Sequence, residues 1–335
     1  MQQLSPREWI LVDIANNYGR GLDKLTWDSR IEWATKHELE LESLSCEAST
    51  KLLYDKAVRS LRLVDNHEPT NISVSLDATT SFLQIMAVLM RCSKSAEASN
   101  LIYTGKRRDF YTDVTKSMNT QLTKEHALNI SRELIKEVVM IFFYGGSAKA
   151  REVFENNPKH LKLLYRTLTK LVPGAHKCRN LCIDTWDSTA TEHVWTKDDD
   201  TYVQCPVLVK KSKRITCGTE SFIHRASVIG KDKLGVSNAA NFIQSIDAMI
   251  MSRMIKQAHL QGFELYGIHD AFYAHPNHIN TIRQNYLDIL IDIAGKPIFV
   301  SWLNTMRKTN GLTDMNEASI KHFIEQIRTA EYHLS

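Results

Sequence analysis

Apolar positions along this chain repeat at two periods, and the switch between them divides it. Residues 9–14 open with an apolar run that the stretch 16–21 interrupts; Trp27, Ile31, Ala34 and Leu39 then recur near helical spacing. Thr26 stands where an N-cap hydroxyl would start that second helix, read as continuing through residue 44. Residues 46–64 read as another helix, with Leu52, Leu53, Ala57 and Leu61 on one side. At residue 72 the period shortens to two: Ile72, Val74 and Leu76 alternate with Ser73, Ser75 and Asp77, the pattern of a strand. Helices are predicted over 82–92, 107–119 and 123–143, the last stopped by Gly145 and Gly146. Residues 157–235 hold short apolar stretches that suit strands. A helix follows over 241–260, and then FELYGIHDAFYA reads as a hairpin with arms 263–268 and 271–274 and His269 and Asp270 at its bend. The remainder is mostly helical. The pattern is that of an α+β chain, mainly helical, without internal repeats.

Composition narrows the class without naming it. The chain has 335 residues, 43% hydrophobic and 24% charged, with 13 Gly and 7 Pro, which excludes disordered and fibrous proteins. Lys and Arg number 42 against 38 Asp and Glu, a net charge of +4, so the total neither demands nor excludes nucleic acid. No 18-residue apolar run is present and the first residues are polar, so no membrane association and a cytoplasmic location are the expectation. Six cysteines fit no disulfide framework or standard zinc spacing, and reduced, mostly buried thiols are expected.

Candidate chemistry lies in three places. Asp77 closes an alternating strand and Asp270 sits in an apolar hairpin. Two such carboxylates brought together would hold hard cations such as Mg²⁺. The plain alternative is that Asp77 caps the next helix. Arg132, Lys136, Met140 and Tyr144 recur every four residues and so share one side of a helix, drifting about 40° per step. Two cations leading to an aromatic ring suit a triphosphate with a sugar or base at the ring end. Basic groups at 106–108, 159–177 and 210–214 could neutralise nucleic-acid phosphates, or be solvated faces.

In their order along the chain these segments resemble the single-subunit RNA polymerases of bacteriophages and mitochondria. DATTSFLQ at 77–84 resembles the first palm motif, RELIKEVVMIFFYGG at 132–146 the fingers helix, NFIQSIDA at 241–248 the entry to the last palm section, and IHDAF at 268–272 the second catalytic motif. HVWTKDDDTYVQCPV at 193–207 is similar to a fingers segment, and the stretch from Trp9 to Trp33 to the one preceding the palm strand.

The resemblance implies a right-hand palm with helical fingers, divided here as 1–92 (palm with the first motif), 93–240 (fingers) and 241–335 (palm with the second motif and tail). It implies a DNA-directed RNA polymerase using ribonucleoside triphosphates, a DNA template and an RNA product. Asp77, Asp270 and the Ala78 carbonyl would bind two Mg²⁺. Arg132 and Lys136 would grip the nucleotide phosphates, with Lys136 protonating the leaving pyrophosphate. Met140, Tyr144 and Gly145 would complete the nucleotide site, Tyr144 sensing the 2′-hydroxyl, and His269 would position Asp270.

Met140 favours ribonucleotides over deoxyribonucleotides in this comparison. Phe82, where the RNA polymerases favour Gly, and Glu137 and Gln244 depart from the pattern. Asp77 and Asp270 are 193 residues apart, which implies trimmed fingers and a trimmed promoter-reading loop. The expected assembly is a split, two-chain enzyme of a phage in its host's cytoplasm. This chain would be its catalytic subunit, and a partner would supply the thumb and first palm segment. The resemblance implies a C-terminus that folds back toward the active site, but residues 332–335 are expected to fray. The rival readings are a DNA polymerase or primase-like enzyme on the same scaffold, a non-catalytic nucleic-acid-binding subunit, and a His-Asp phosphohydrolase.

Overall fold

The computed structural model describes residues 1–126 and 129–335. Its first helix, Pro6–Tyr18, begins before the apolar run because Ser5 and Glu8 close a capping box. Glu8 N donates to Ser5 Oγ (3.3 Å) and Ser5 N to the Glu8 carboxylate (2.6 Å). Thr26 caps the second helix, Trp27–Lys36, through a bond from Ser29 N. That helix ends at Lys36 instead of running on to 44, and the next long helix is Lys51–Asp65.

The single helix expected over 123–143 is two. Phe110–His126 ends the first, and Arg132–Phe143 starts afresh; residues 127 and 128 lie outside the described residues. The restart has a local cause that apolar spacing does not register. Ser131 is extended (φ −71°, ψ 157°) and its hydroxyl accepts from Leu134 N at 3.2 Å, an N-cap that competes with helix continuation.

Seven strands occur among the described residues: β1 (Val74–Asp77), β2 (Glu192–Thr196), β3 (Tyr202–Pro206), β4 (Leu208–Cys217), β5 (Glu220–Ile229), β6 (Tyr266–Ile268) and β7 (Ala271–Ala274). β7 is the centre of a three-stranded antiparallel sheet, with β1 on one side and β6 on the other. The β1–β7 register sets Leu76 opposite Phe272 and Asp77 opposite Ala271. Behind the sheet the helix Ser81–Met90 is buried nearly all round, as its unbroken apolar sequence requires. It packs against the helices Pro173–Ile183, Ser237–Leu260 and Ile279–Gly295.

The tail does not fray. Leu334 bridges Ala78 as a further antiparallel partner, Thr79 N donates to His333 O (2.9 Å), and Ser335 N donates to Asp77 O (2.8 Å). Glu331 accepts from buried Arg283 (2.7 Å) and from the Trp27 indole (3.0 Å), and Tyr332 stacks on Trp27. Gln84 links the tail to the buried helices: its amide donates to His333 O (2.8 Å) and Ser99 O (3.1 Å), and its carbonyl accepts from Tyr286 OH (2.8 Å). Burial pushes the His333 imidazole down to about 3, so it serves as a neutral hydrogen-bonding ring.

β4 and β5 pair over ten residues, from Leu208 opposite Ile229 to Cys217 opposite Glu220. Most of their side chains are exposed, including Lys210, Lys211, Lys213, Arg214 and Arg225. A long hairpin therefore lies within the stretch 157–235, where short strands were expected. Of the cysteines, Cys178 and Cys182 are buried while Cys46 and Cys217 are exposed, so burial of the thiols is only partial. Among the described residues no helix is long and apolar enough to cross a membrane.

Candidate active site

A cleft of about 980 Å³ opens over the end of the three-stranded sheet. Asp77 leaves β1 at its rim, and Asp270 enters from the β6–β7 bend beside it. Ala78 N donates to the Asp270 carbonyl (3.0 Å), which ties the two backbones together. Residue 269 makes the bend possible by adopting φ +56°, and the His269 side chain is exposed at the cleft edge. Asp77 does not cap the following helix: Thr80 holds the cap position, with no side-chain bond.

The two carboxylates lack cationic contacts. Among the described residues neither forms an ion pair, and the Asp77 carboxyl is raised above its ordinary value by burial first and by the charge of Asp270 second. Lys24 and Lys136 pull it down more weakly from a distance. Two neighbouring oxygen donors that repel each other at a cleft are a donor set suited to a hard divalent cation, and this is the residue chemistry that Mg²⁺ would fit.

The stripe on helix Arg132–Phe143 forms the facing wall. Ile135, Val138, Val139, Phe142 and Phe143 anchor the helix in the core, which turns Arg132, Lys136, Met140 and Tyr144 toward the cleft. Arg132 Nε donates to Asp109 Oδ2 (2.7 Å), and Asp109 in turn accepts from Thr112 Oγ1 (2.9 Å) and from the first-turn amides of Tyr111 and Thr112. Burial opposes ionisation of Asp109, but its bonds to Arg132 and Thr112 hold the carboxyl below its usual value. Arg132 and Lys136 both lie over the Tyr111 ring, at 5.7 and 5.9 Å. Burial, then the nearby charges of Asp247 and Asp270, push the Tyr144 phenol up to about 12, so it stays protonated.

Tyr144 rests against Phe82, which also stacks on Phe143; Phe82 is only 3% exposed. Gly145, expected among the nucleotide contacts, is instead buried beneath Val236. Its φ is +97° and a Cβ there would stand 2.6 Å from the Val236 carbonyl, so the turn requires Gly and the residue does not line the cleft. Ala78 lines the cleft next to Asp77.

Sequence reading missed several groups. Asp23 and Lys24 reach the cleft from the short turn Leu22–Lys24, and Arg107, Tyr111 and Asp247 complete its polar lining. Asp247 had a signal, a lone acid in an apolar helix. Burial first and Asp270 second raise its carboxyl to about 6. Lys24 had none, because it lies in a turn whose position only the packed fold defines, and Arg107 had only its place in the basic group at 106–108, which says nothing of this cleft.

The comparisons with known proteins point one way. A family model described as DNA-dependent RNA polymerase matches residues 53–163 and 187–333. The mitochondrial DNA-directed RNA polymerase 1 of Arabidopsis thaliana is 21% identical over 362 residues, covering 90% of this chain and 36% of that protein. The chloroplastic DNA-directed RNA polymerase 3B of Nicotiana tabacum is 22% identical over 357 residues, with the same coverage. The chain thus spans about a third of the length of the curated relatives it matches.

Proposed function

This chain belongs to the DNA-dependent RNA polymerase family of the single-subunit, phage and organellar type, and on that premise we propose that its cleft performs template-directed nucleotidyl transfer from ribonucleoside triphosphates. The observation that carries the proposal is the convergence of Asp77 and Asp270, free of cations, opposite Arg132 and Lys136.

In the reaction the 3′-hydroxyl oxygen of the RNA forms a bond to the α-phosphorus as the bond from that phosphorus to pyrophosphate breaks. The hydroxyl proton leaves to solvent. Asp77, Asp270 and the Ala78 carbonyl would hold two Mg²⁺, which when bound neutralise charge on the attacking and leaving oxygens. Arg132, fixed in direction by Asp109, grips the phosphates, and Lys136 donates a proton to the departing pyrophosphate. Tyr144 presents a protonated hydroxyl and an aromatic face to the sugar and base, supported from behind by Phe82. His269 and Met140 border the same space. The palm takes residues 1–92 and 241–335 and the fingers 93–240 in this reading.

The exposed basic β4–β5 hairpin suits duplex DNA, whose phosphates its lysines and arginines would neutralise. A second chain supplying the thumb and first palm segment is part of the proposal. Its support is bare apolar surface near the start of the chain, where Leu39 is fully exposed and Leu52 84% exposed.

Primer extension on an RNA–DNA hybrid with Mg²⁺ tests this reading. Ribonucleotide-dependent extension by the wild type, lost in Asp270→Ala, is expected, and no extension with any co-purifying chain would refute it. The DNA polymerase reading rests on Phe82, the bulky wall beside Tyr144; efficient use of deoxyribonucleotides would favour it.

A further inference from the structure

Arg107 sits in the loop before helix Phe110–His126, on the cleft wall, and among the described residues it makes fewer hydrogen bonds than the deep arginines Arg30, Arg91, Arg179 and Arg283. Each of those four makes three or more bonds, although Arg283 Nε has no partner among the described residues. Arg91 pairs with Asp314 and two carbonyls, Arg283 with Glu331 and two carbonyls, and Arg30 donates to the Leu25 and Asp23 carbonyls and to Asn16. Arg179 donates to two carbonyls and Asn180. Arg107 makes a single bond, from Nε to Ser335 Oγ at 3.1 Å. Arg30 Nη2 donates to the same hydroxyl at 2.7 Å, so two like charges converge on one neutral oxygen. Burial depresses the Arg107 guanidinium, and the more distant Asp23 and Asp109 restore only part.

A half-buried guanidinium that lines a cleft, with no bond to either terminal nitrogen among the described residues, is costly until an anion arrives. Its planar fork matches a phosphate in two parallel bonds. Ser335 N is bonded to Asp77 O, so the guanidinium is tethered beside the catalytic carboxylate.

We propose that Arg107 binds the terminal phosphates of the incoming nucleoside triphosphate, the part released as pyrophosphate. The assignment rests on the polymerase reading for its substrate but is tested apart from turnover.

Inorganic tripolyphosphate, titrated calorimetrically into the full chain without nucleotide, is the probe. Arg107→Gln is expected to weaken it roughly ten- to hundred-fold, the range for one charge-assisted pair. Arg107→Lys, which keeps the charge without the fork, should lose several-fold and serves if the first variant folds poorly. Ser335→Ala removes the tether but keeps the guanidinium, and should lose less affinity than Arg107→Gln. In extension assays Arg107→Gln should raise KM for every ribonucleotide, and for pyrophosphate in the reverse reaction, with kcat nearly unchanged. Equal tripolyphosphate affinity in wild type and Arg107→Gln, or an equal loss in Ser335→Ala, would overturn the inference. A wild type that does not extend primers yet binds tripolyphosphate through Arg107 would sustain this assignment while the polymerase reading fell.

Discussion

The β1–β7–β6 sheet and the β4–β5 hairpin are both antiparallel, yet they are held by different forces. In the sheet, strands of three and four residues carry few ladder bonds, and their position comes from what packs on them: the Pro6–Tyr18 helix against β1, Tyr286 against Phe272 of β7, and the returning tail beside Ala78. In the hairpin, ten paired residues hold one another and touch little else. The short sheet can therefore place two repelling carboxylates side by side, because the surrounding core supplies the free energy to keep them there. The hairpin is free to present charge to a large partner, because nothing in the core depends on its orientation.

The largest test of this contrast is chemical. Asp77→Asn or Asp270→Asn should lower primer extension by about a thousandfold or more, as loss of a metal-binding carboxylate does. The thermal midpoint of the free chain should hold or rise, since the like-charge repulsion is relieved. A fall in both would mean the carboxylates are structural.

Next comes the support beneath the sheet. Gln84→Leu strands the Tyr286 hydroxyl and the Ser99 carbonyl and leaves the His333 carbonyl only its bond from Thr79 N, and should cost roughly 2–6 kcal/mol in urea denaturation, at about 1–3 kcal/mol per buried group left unpaired. A cost below about 1 kcal/mol would show that the tail is not what fixes β1.

Asp13, buried under β1 beside Lys56 and Asn17, adds a pH dependence. Burial raises its carboxyl from 3.8 to about 6, so the folded chain binds the proton more tightly than the unfolded one. Its contribution is present in full below pH 4 and is lost as the pH rises through 6. At about 1.4 kcal/mol per unit the swing is on the order of 2–3 kcal/mol. Stability profiles of wild type and Asp13→Asn should diverge over that window, the variant being the flatter. Parallel curves would exclude Asp13 as the cause.

The smallest stability effect belongs to the hairpin. Alanine at Lys210, Lys211, Lys213, Arg214 and Arg225 should leave the unfolding free energy within about 0.5 kcal/mol, as exposed positions do. The salt dependence of duplex DNA binding should flatten, its logarithmic slope falling by up to about 0.9 for each phosphate no longer neutralised. An unchanged slope would remove the hairpin from the DNA-facing surface.

Much of the fold was legible because its signals are local. The two-residue alternation ending in Asp77, the apolar hairpin around Asp270 and the four-residue stripe from Arg132 to Tyr144 each sit within about a dozen residues, and each took the expected form. Errors arose where a short polar signal overrode apolar spacing, as Ser131 did in dividing one long helix, or Ser5 and Glu8 in starting another early. Gly145 was assigned to the nucleotide by its neighbours, although its positive φ and the Val236 carbonyl account for it.

By itself the sequence determined most of the elements and the family to which the chain belongs, since periodicity and motif order survive without coordinates, but not every buried face: Leu52 and Leu53, expected beside Ala57 and Leu61, are exposed. Only the tertiary structure decided that Lys24 and Arg107 enter the cleft, that Asp247 joins the acidic end, and that the tail becomes a strand beside Asp77. Those groups are brought together across tens to hundreds of residues by core packing, which is set by the shape and burial of many side chains at once rather than by any spacing along the chain.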